Sequence, residues 1–376
     1  MLESAGSLRP IQSAMRRRQE QTGAANPTPT KPSQIFFDQR WDDCGGIGRF
    51  SRNLRRELIR RWQYEFQPVD CAGSPVDPID PWRLGRYLKR QKATLYVTPG
   101  YNVALWPGCP TVSTVHDLIH LSTHSVPNLP RDLYYRMLVR PAIRRNDRTL
   151  TVSGFSQRQI AAFAGVSSEK VVVVGNGVDS VFRTGTANSA STPVTYLLYV
   201  GCDKPHKNLP VLLQAAAPLL ADRSVRLKLV TKPRQPLVDL IWQYQLQDHV
   251  DVVDRASETQ LAELYRGAIA TVQPSLIEGF GLPIVEAMAS GCPVIGSRGT
   301  ATGEVIGDAG LTFDPADAGS LREAMRKMLD CPQTRRRCRA AGLKRAEQYR
   351  WSEVADRTHA ALMRVLGDIG RVRRAA

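Results

Sequence analysis

From residue 34 onward the chain repeats one pattern, in which a short apolar run is followed by a loop containing Gly or Pro and an amphipathic segment of helix length. This alternation is typical of strands and helices that build parallel sheets. In the first half it predicts strands at residues 35–38, 94–98, 111–115, 148–152 and 171–174, and helices at 47–61 and 130–144. In the second half it predicts strands at 194–200, 227–230, 250–252, 270–273 and 293–295, with helices at 209–220 and 283–290.

A polar stretch rich in Ser, Thr, Ala and Asn, residues 184–193, separates the two series and predicts a linker. We therefore expect an α/β fold with two doubly wound domains, residues 34–183 and 194–350. A Pro- and Thr-containing leader, residues 1–33, is expected to be flexible. Ligands of such sheets bind beyond the carboxyl ends of the strands, so two facing sheets would enclose a binding cleft.

Composition adds a preference for anionic partners. The chain has 376 residues, 42% of them hydrophobic, and a formal net charge of +16. Its first 190 residues hold 26 Lys and Arg against 15 Asp and Glu. This excess favours phosphates of nucleic acid, anionic lipid or lipid-linked sugars, although a solvated basic surface is an equal alternative. Seven cysteines without metal spacing favour a cytoplasmic protein.

The strongest motif is EGFGLPIVE, which begins at Glu278 and ends at Glu286. Pro283 suits the first turn of a helix, and Gly291 suits its C-terminal end. Backbone N–H groups at this helix start favour a diphosphate. We expect Glu286, in the first turn, to accept hydrogen bonds from ribose hydroxyls, and Glu278 to meet hydroxyls of a transferred sugar. The alternative is that the helix dipole alone favours Glu286 there.

A second motif, GCDKPHKNL, occupies residues 201–209. Asn208 is a candidate N-cap for the helix that follows. Lys207 places a positive charge just before that helix. Negative charge grows on the departing phosphate when a sugar leaves a nucleotide diphosphate, and a placed cation lowers that barrier. A surface lysine without such a role is the alternative.

In the first half, DDCGGIG at residues 42–48 lies between a predicted strand and helix. Its glycines, Gly45 and Gly46 among them, allow the backbone to approach a ligand closely. The segment is not a dinucleotide-binding fingerprint, because Ser51 stands where the third glycine belongs. A dehydrogenase is therefore disfavoured.

His116 and Asp117 follow the strand predicted at 111–115. A histidine at the carboxyl end of a strand can hydrogen-bond a sugar hydroxyl or an oxygen at the reaction centre, although a structural role is the common alternative. His120 and His124 lack the Cys or carboxylate spacing of a metal site, so we expect no metal.

Together these segments resemble glycosyltransferase family 4 (group 1), the retaining transferases of the GT-B fold. The resemblance covers nearly the whole chain from Gln34 and is most specific at residues 278–294. The glycine loop, residues 115–117, residues 176–179 and residues 205–209 also match. It implies two Rossmann-like domains facing each other across a cleft, with the final helix, within 351–376, returning to the first.

By this resemblance, His116, Lys207 and Glu278 are the catalytic candidates, with Lys207 at the diphosphate, Glu278 at the donor sugar and Glu286 at the ribose. The other substrate-binding candidates are Gly45, Gly46, Asp117, His206, Gly279, Phe280, Gly281 and Leu282. Many relatives carry Arg at the position of His206, so neutralisation of the phosphates is expected to depend more on Lys207.

The resemblance implies retaining transfer of a hexose, mannose or a related sugar, from a nucleotide diphosphate sugar, with GDP-mannose as the candidate donor and no metal cofactor. The implied acceptor is a glycan or a polyprenyl-linked oligosaccharide of polysaccharide, lipopolysaccharide or O-antigen assembly, at the inner membrane surface.

Two alternative functions stay open. One is a phosphorylase or glycosidase using Glu278 and Glu286, which fits poorly because both lie on one loop and helix. The other is a basic nucleic-acid-binding protein, disfavoured because aromatic and basic residues interleave only at 134–136.

Overall fold

The computed structural model describes residues 34–121, 129–183, 195–221 and 223–375. It contains two parallel six-stranded sheets with helices between the strands, which confirms the predicted α/β class. We call residues 34–183, around the first sheet, the first lobe and residues 195–350, around the second sheet, the second lobe. The leader and the linker expected at 1–33 and 184–193 lie outside the described residues.

The first sheet has the order β2-β1-β3-β4-β5-β6 and the second the order β12-β11-β10-β7-β8-β9. Strands of the first sheet are β1 (Ile35–Phe37), β2 (Phe66–Pro68), β3 (Leu95–Thr98), β4 (Thr111–Thr114), β5 (Arg148–Thr151) and β6 (Val171–Val173). Those of the second are β7 (Thr195–Val200), β8 (Val225–Val230), β9 (Val250–Val253), β10 (Ala270–Gln273), β11 (Val294–Ser297) and β12 (Leu311–Phe313).

Helices connect the strands of each sheet. Those of the first lobe are α1 (Gly45–Trp62), α2 (Asp80–Arg90), α3 (Leu129–Tyr134), α4 (Arg140–Arg145), α5 (Gly154–Ala164) and α6 (Ser180–Arg183). Those of the second are α7 (Leu209–Ala221), α8 (Gln235–Gln243), α9 (Glu258–Gly267), α10 (Leu282–Ala289), α11 (Ala301–Ile306), α12 (Ala318–Asp330) and α13 (Pro332–Ala346), and α14 (Trp351–Ala375) follows. Within the described residues no helix is both long and apolar enough to cross a membrane.

The strand order places the candidate motifs at the switch point of each sheet. In the second sheet the chain moves outward from β7 to β8 and β9, then returns to the other side of β7 with β10. The loops after β7 and β10 therefore open onto one crevice, where ligands of doubly wound sheets bind. Lys207 lies in the first loop and Glu278 in the second. The loops after β1 and β3 meet in the same way in the first sheet.

The predicted helix at 130–144 is real but interrupted. A π-helical segment, Tyr135–Val139, separates α3 from α4. Pro141 explains the interruption, because it has no N–H to donate to the preceding turn and its ring clashes with the carbonyl four residues earlier. The wider π register, seen in the bond from the Arg140 N–H to the Tyr135 carbonyl, accommodates it.

The two ends of α10 were predicted correctly, whereas the cap at the start of α7 was not. Pro283 lies in the first turn of α10, and Gly291 adopts a positive φ of 75° just after it, both as expected. The N-cap prediction for Asn208 is wrong, because the residue has a left-handed backbone with φ of 57° and not the extended backbone of a cap. Its side-chain amide donates to the Pro315 carbonyl at 2.9 Å.

The last helix, α14, packs against α1 of the first lobe. Arg61 forms an ion pair of 2.8 Å with Asp356, and the rings of Trp62 and His359 stack with centroids 3.8 Å apart. Trp351, at the start of α14, belongs to a continuous apolar cluster that includes residues of both sheets. The two lobes therefore share part of their core.

The contact between Gly177 and Trp351 gives a test of this packing. A Cβ atom on Gly177 would lie 2.2 Å from the Trp351 ring, so Gly177→Ala should lower the free energy of unfolding by about 1–3 kcal/mol through overpacking. Gly367→Ala, in α14 with no atom within 4 Å of its new Cβ, is the control and should be neutral or stabilising by up to about 1 kcal/mol. Urea unfolding measures both, and equal stabilities would contradict the packing described.

Candidate active site

The two lobes face each other across a cavity of about 370 Å³. Its first-lobe wall comes from the start of α1 and from the segments after β4, β5 and β6, and its second-lobe wall from the loops after β7 and β10 and the start of α10. Nine predicted site residues line it: Gly46, His116, Asp117, Lys207, Glu278, Gly279, Phe280, Gly281 and Leu282. Motifs more than 200 residues apart in sequence thus meet in one place.

A buried ion pair joins the two second-lobe motifs. Lys207 Nζ lies 2.6 Å from Glu278 Oε1, and the two side chains are only 12% and 9% exposed. Ser275 and Gln273 donate to the same oxygen at 2.6 and 3.1 Å. Glu278 Oε2 receives no hydrogen bond from the described residues, which leaves it available to a ligand in the cavity.

The charge state of Glu278 follows from these contacts. Burial by itself would raise the pKa of the Glu278 carboxyl. The charge and hydrogen bond of Lys207, with the hydrogen bonds from Ser275 and Gln273, outweigh burial and hold this pKa below its ordinary value. Glu278 is therefore an anion at neutral pH and acts as a hydrogen-bond acceptor.

Glu286 has a different environment from the one predicted. It lies in the second turn of α10, because the helix begins at Leu282, so the first-turn placement is wrong. Arg49 of α1 contacts Glu286 Oε1 at 2.8 Å, and the Tyr265 hydroxyl donates to Oε2 at 3.1 Å. Burial raises the pKa of Glu286 despite Arg49. Glu286 is not among the residues lining the cavity.

Arg49 links Glu286 to the first lobe and to the last helix. Its Nε lies 2.7 Å from Asp179 Oδ2, in the loop after β6. Trp351 of α14 donates its indole N–H to the other oxygen of Asp179 at 2.6 Å. One guanidinium thus joins a carboxylate of each lobe.

His116 and Asp117 lie where the sequence placed them, at the carboxyl end of β4. His116 Nε2 donates to the Pro99 carbonyl at 2.9 Å, because a carbonyl can only accept. Burial lowers the pKa of His116, so the neutral ring keeps an acceptor nitrogen at Nδ1. Burial raises the pKa of Asp117, whose Oδ1 accepts from the Ile119 N–H at 3.1 Å.

The loop after β10 touches the first lobe directly. Ser153 and Ser156 donate their hydroxyls to the Gly279 carbonyl at 2.7 and 3.0 Å. A Cβ atom on Gly279 would lie 2.7 Å from Asp117, so only glycine permits this approach. The Glu304 carboxylate accepts from the N–H groups of Gly154 and Phe155 at the start of α5. The cavity is therefore closed on this side by contacts between the lobes.

Two other predicted site residues, Gly45 and His206, do not line the cavity but neighbour residues that do. Gly45 begins α1 beside the lining residue Cys44, and the His206 carbonyl accepts from the Leu276 N–H at 2.8 Å, which ties the two second-lobe loops together. Sequence reasoning missed Arg49, Asn176 and Gln273. Asn176 lay within a segment matched to the family, whereas Arg49 and Gln273 had no local signal, because their partners lie in distant parts of the chain.

Two family models match the chain in succession. The model of Glycosyltransferase Family 4 matches residues 44–182, and that of Glycosyl transferases group 1 matches residues 187–345. The chain belongs to this glycosyltransferase family. The predicted resemblance is thereby confirmed, and the family's two sequence regions coincide with the two lobes around the cavity.

Curated relatives of this family member include mannosyltransferases. It is 36% identical over 235 residues to MMP alpha-(1->4)-mannosyltransferase of Mycolicibacterium hassiacum, covering 60% of this chain and 56% of that protein. It is 29% identical over 261 residues to O-antigen chain mannosyltransferase B of Escherichia coli, covering 66% of this chain and 68% of that protein. The chain thus spans between half and about two thirds of the length of these two relatives.

Among solved structures, the Anabaena protein Alr3699/HepE in complex with UDP and glucose superposes with a TM-score of 0.70 at 16% identity. The match covers 88% of this chain and 99% of that chain. At this identity the likeness concerns the fold, which is the GT-B arrangement of two facing doubly wound sheets.

The buried ion pair predicts a pH-dependent stability. Lys207→Met leaves Glu278 buried without its counter-charge and should lower the free energy of unfolding at pH 7 by about 3 kcal/mol. Although Lys207 lies on a loop, its substitution is therefore expected to lower stability as well as activity. Because the folded pKa of Glu278 is depressed, its contribution is present above the ordinary value of 4.5 and is lost as pH falls through the lower folded value.

Urea unfolding of wild type and Lys207→Met between pH 3 and 7 checks this prediction. The difference between the two proteins should shrink as pH falls through 4.5, because Glu278 protonates above this value in the variant, where burial raises its pKa, and below it in wild type. The double variant Lys207→Met/Glu278→Gln removes both charges and should recover most of the lost stability. A difference that stays constant with pH would show that the pair does not contribute as an ion pair.

Proposed function

We propose that the protein is a retaining glycosyltransferase that moves a hexose, with mannose as the first candidate, from a nucleotide diphosphate sugar to a glycan or lipid-linked oligosaccharide. The observation that carries the proposal is the Lys207–Glu278 pair beside the start of α10, in a cavity between the two lobes. A cation, a helix N-terminus and a carboxylate with one available oxygen match the parts of a sugar nucleotide.

The diphosphate is assigned to Lys207 and the start of α10. An ammonium group carries three hydrogens, so Lys207 can keep its bond to Glu278 and still donate to phosphate oxygens. Leu282 and Pro283 bring the positive end of the α10 dipole to the cavity wall. Both features stabilise the charge that develops on the departing phosphate, which lowers the barrier to transfer.

The transferred sugar is assigned to the space between Glu278 and His116. Glu278 Oε2 and the neutral Nδ1 of His116 are acceptors for its hydroxyls, one from each lobe. Lys207 and the helix start would supply the positive charge that balances the phosphates, and on this basis no metal cofactor is proposed. Retention of configuration comes from the family resemblance alone.

Mannose and the acceptor class are supported by the names of the relatives, both of which are mannosyltransferases and one of which acts on an O-antigen chain. A cytoplasmic location, peripheral at the inner membrane face, fits an acceptor carried on a lipid.

The two alternative functions make different predictions. A phosphorylase would release a sugar phosphate from a plain glycan with inorganic phosphate. A nucleic-acid-binding protein would bind RNA or DNA tightly at physiological salt.

A thermal-shift screen with GDP, UDP, dTDP and ADP sugars, followed by a transfer assay, tests the proposal. We expect GDP-mannose to raise the melting temperature, because a ligand that binds only the folded state stabilises it. Lys207→Ala should reduce turnover at least about a hundredfold, the usual cost of removing a group that stabilises developing charge. Lys204→Ala, in the same loop but exposed, is the matched control and should stay near wild type. Absence of a shift with every sugar nucleotide would refute the proposal.

Glu286 lies outside the cavity lining, with its two oxygens bonded to Arg49 and Tyr265, so its ribose role rests on the family resemblance and has its own test. Replacing a charged acceptor of ribose hydroxyls costs about 1.5 kcal/mol or more, so Glu286→Gln should weaken GDP binding about tenfold. Binding of inorganic pyrophosphate, which has no ribose, should not change. Glu258→Gln, an exposed carboxylate on the other side of Arg49, is the control. Equal losses for GDP and pyrophosphate in a calorimetric titration would place Glu286 outside the ribose site.

A further inference from the structure

The first lobe has an outer surface on which large apolar side chains are exposed. Of twelve exposed large hydrophobic residues in the described parts of the chain, six lie in two stretches, residues 76–106 and 133–137. These are Val76, Ile79, Trp82, Trp106, Leu133 and Met137. Single exposed apolar residues are ordinary, but a concentration of them marks a binding surface.

An apolar pocket of about 690 Å³ joins the two stretches. Val76 and Pro78 line it from one side, and Leu133 and Met137 from the other. The hydroxyl of Tyr134, in the same lining, is buried and has no hydrogen-bond partner among the described residues. A buried hydroxyl without a partner is costly, so the pocket favours an occupant with an apolar chain and a polar group.

Both stretches run into positively charged helices. Residues 81–92 contain five Lys and Arg and no acid, and residues 133–145 contain four Arg and no acid. Within the described structure only Arg83 of these nine residues forms an ion pair. On the exposed face of α2, Trp82 is followed by Arg86, whose guanidinium lies 4.7 Å above the Trp82 ring. The apolar surface is therefore bordered by uncompensated positive charge.

We propose that this surface, defined by the six exposed apolar residues and the basic residues of 81–92 and 133–145, docks on an anionic lipid bilayer. Apolar side chains next to Lys and Arg are the composition that places a protein at the boundary between acyl chains and headgroups. Tryptophan is enriched at that depth, and each basic residue near an anionic leaflet adds to the attraction. A polyanion such as RNA would satisfy the charges but not the exposed apolar side chains.

The loop after β3 contacts both the apolar pocket and a residue of the cavity described above. Tyr101, which lines the apolar pocket, belongs to the loop after β3, and in the same loop the Pro99 carbonyl holds His116. The rings of Tyr101 and Trp41 lie 5.2 Å apart, which brings the loop after β1 to the same place. The link to a lipid-borne acceptor rests on the proposed function, whereas the surface and its test do not.

Sedimentation of the full chain with vesicles tests the proposal. We expect binding to phosphatidylcholine vesicles containing phosphatidylglycerol, weaker binding to phosphatidylcholine alone, and weakening by salt. Trp82→Gln and Met137→Gln should each reduce partitioning about tenfold, the loss expected for one apolar side chain that no longer enters the bilayer. Trp242→Gln and Met363→Gln change residues that are also exposed but lie outside this surface, so they are the matched controls and should bind like wild type.

Each variant is also tested for a GDP-induced thermal shift, which reports the cavity independently of the membrane. Vesicle binding that is absent, insensitive to phosphatidylglycerol, or reduced equally by the control variants would overturn the docking surface even if GDP binds. Binding to heparin that Arg86→Gln weakens and Met137→Gln does not, without vesicle binding, would identify a polyanion site and overturn it as well. Absence of a thermal shift of the wild type with every sugar nucleotide of the screen, together with intact vesicle binding, would refute the proposed function alone.

Discussion

The arrangement of the site depends on one constraint, that the mostly buried charge on Lys207 is held by Glu278. Neither ion could remain buried alone, since an unpaired buried charge costs several kcal/mol. The pair also fixes the loop after β7 against the loop after β10, the two loops that open at the switch point of the second sheet. The same ion pair therefore balances the charge and fixes the two loops. A ligand that accepts hydrogen bonds from the Lys207 ammonium changes both.

Closure between the lobes is built from contacts of the same kind. Backbone polar groups at the Glu278 loop and at the start of α5 bind side chains of the opposite lobe, and Arg49 joins carboxylates from both. Polar contacts of this kind can be exchanged for contacts with a ligand or water, unlike an interlocked apolar core. The facing surfaces are thus suited to opening and closing around a substrate, while the apolar cluster near α14 keeps the lobes together.

Much of the fold followed from local sequence. Parallel strands that are buried on both faces form continuous apolar runs, so the strands at 270–273 and 111–115 were predicted within one residue, and Pro283 and Gly291 marked the ends of α10. The three-residue edge strand Phe66–Pro68 was missed because it is half exposed and ends in proline. Arg49 was missed for another reason: its importance comes from Asp179 and Glu286, 130 and 237 residues away, and no local pattern encodes such a contact.

The position of α14 also matters during synthesis. Phe50 and Leu54 of α1 share an apolar cluster with Trp351 and Val354, so the first lobe emerges from the ribosome long before its covering helix exists. Until α14 is translated, that face of α1 stays open to water and to other apolar chains. The first lobe therefore completes its apolar packing only after α14 has been synthesised.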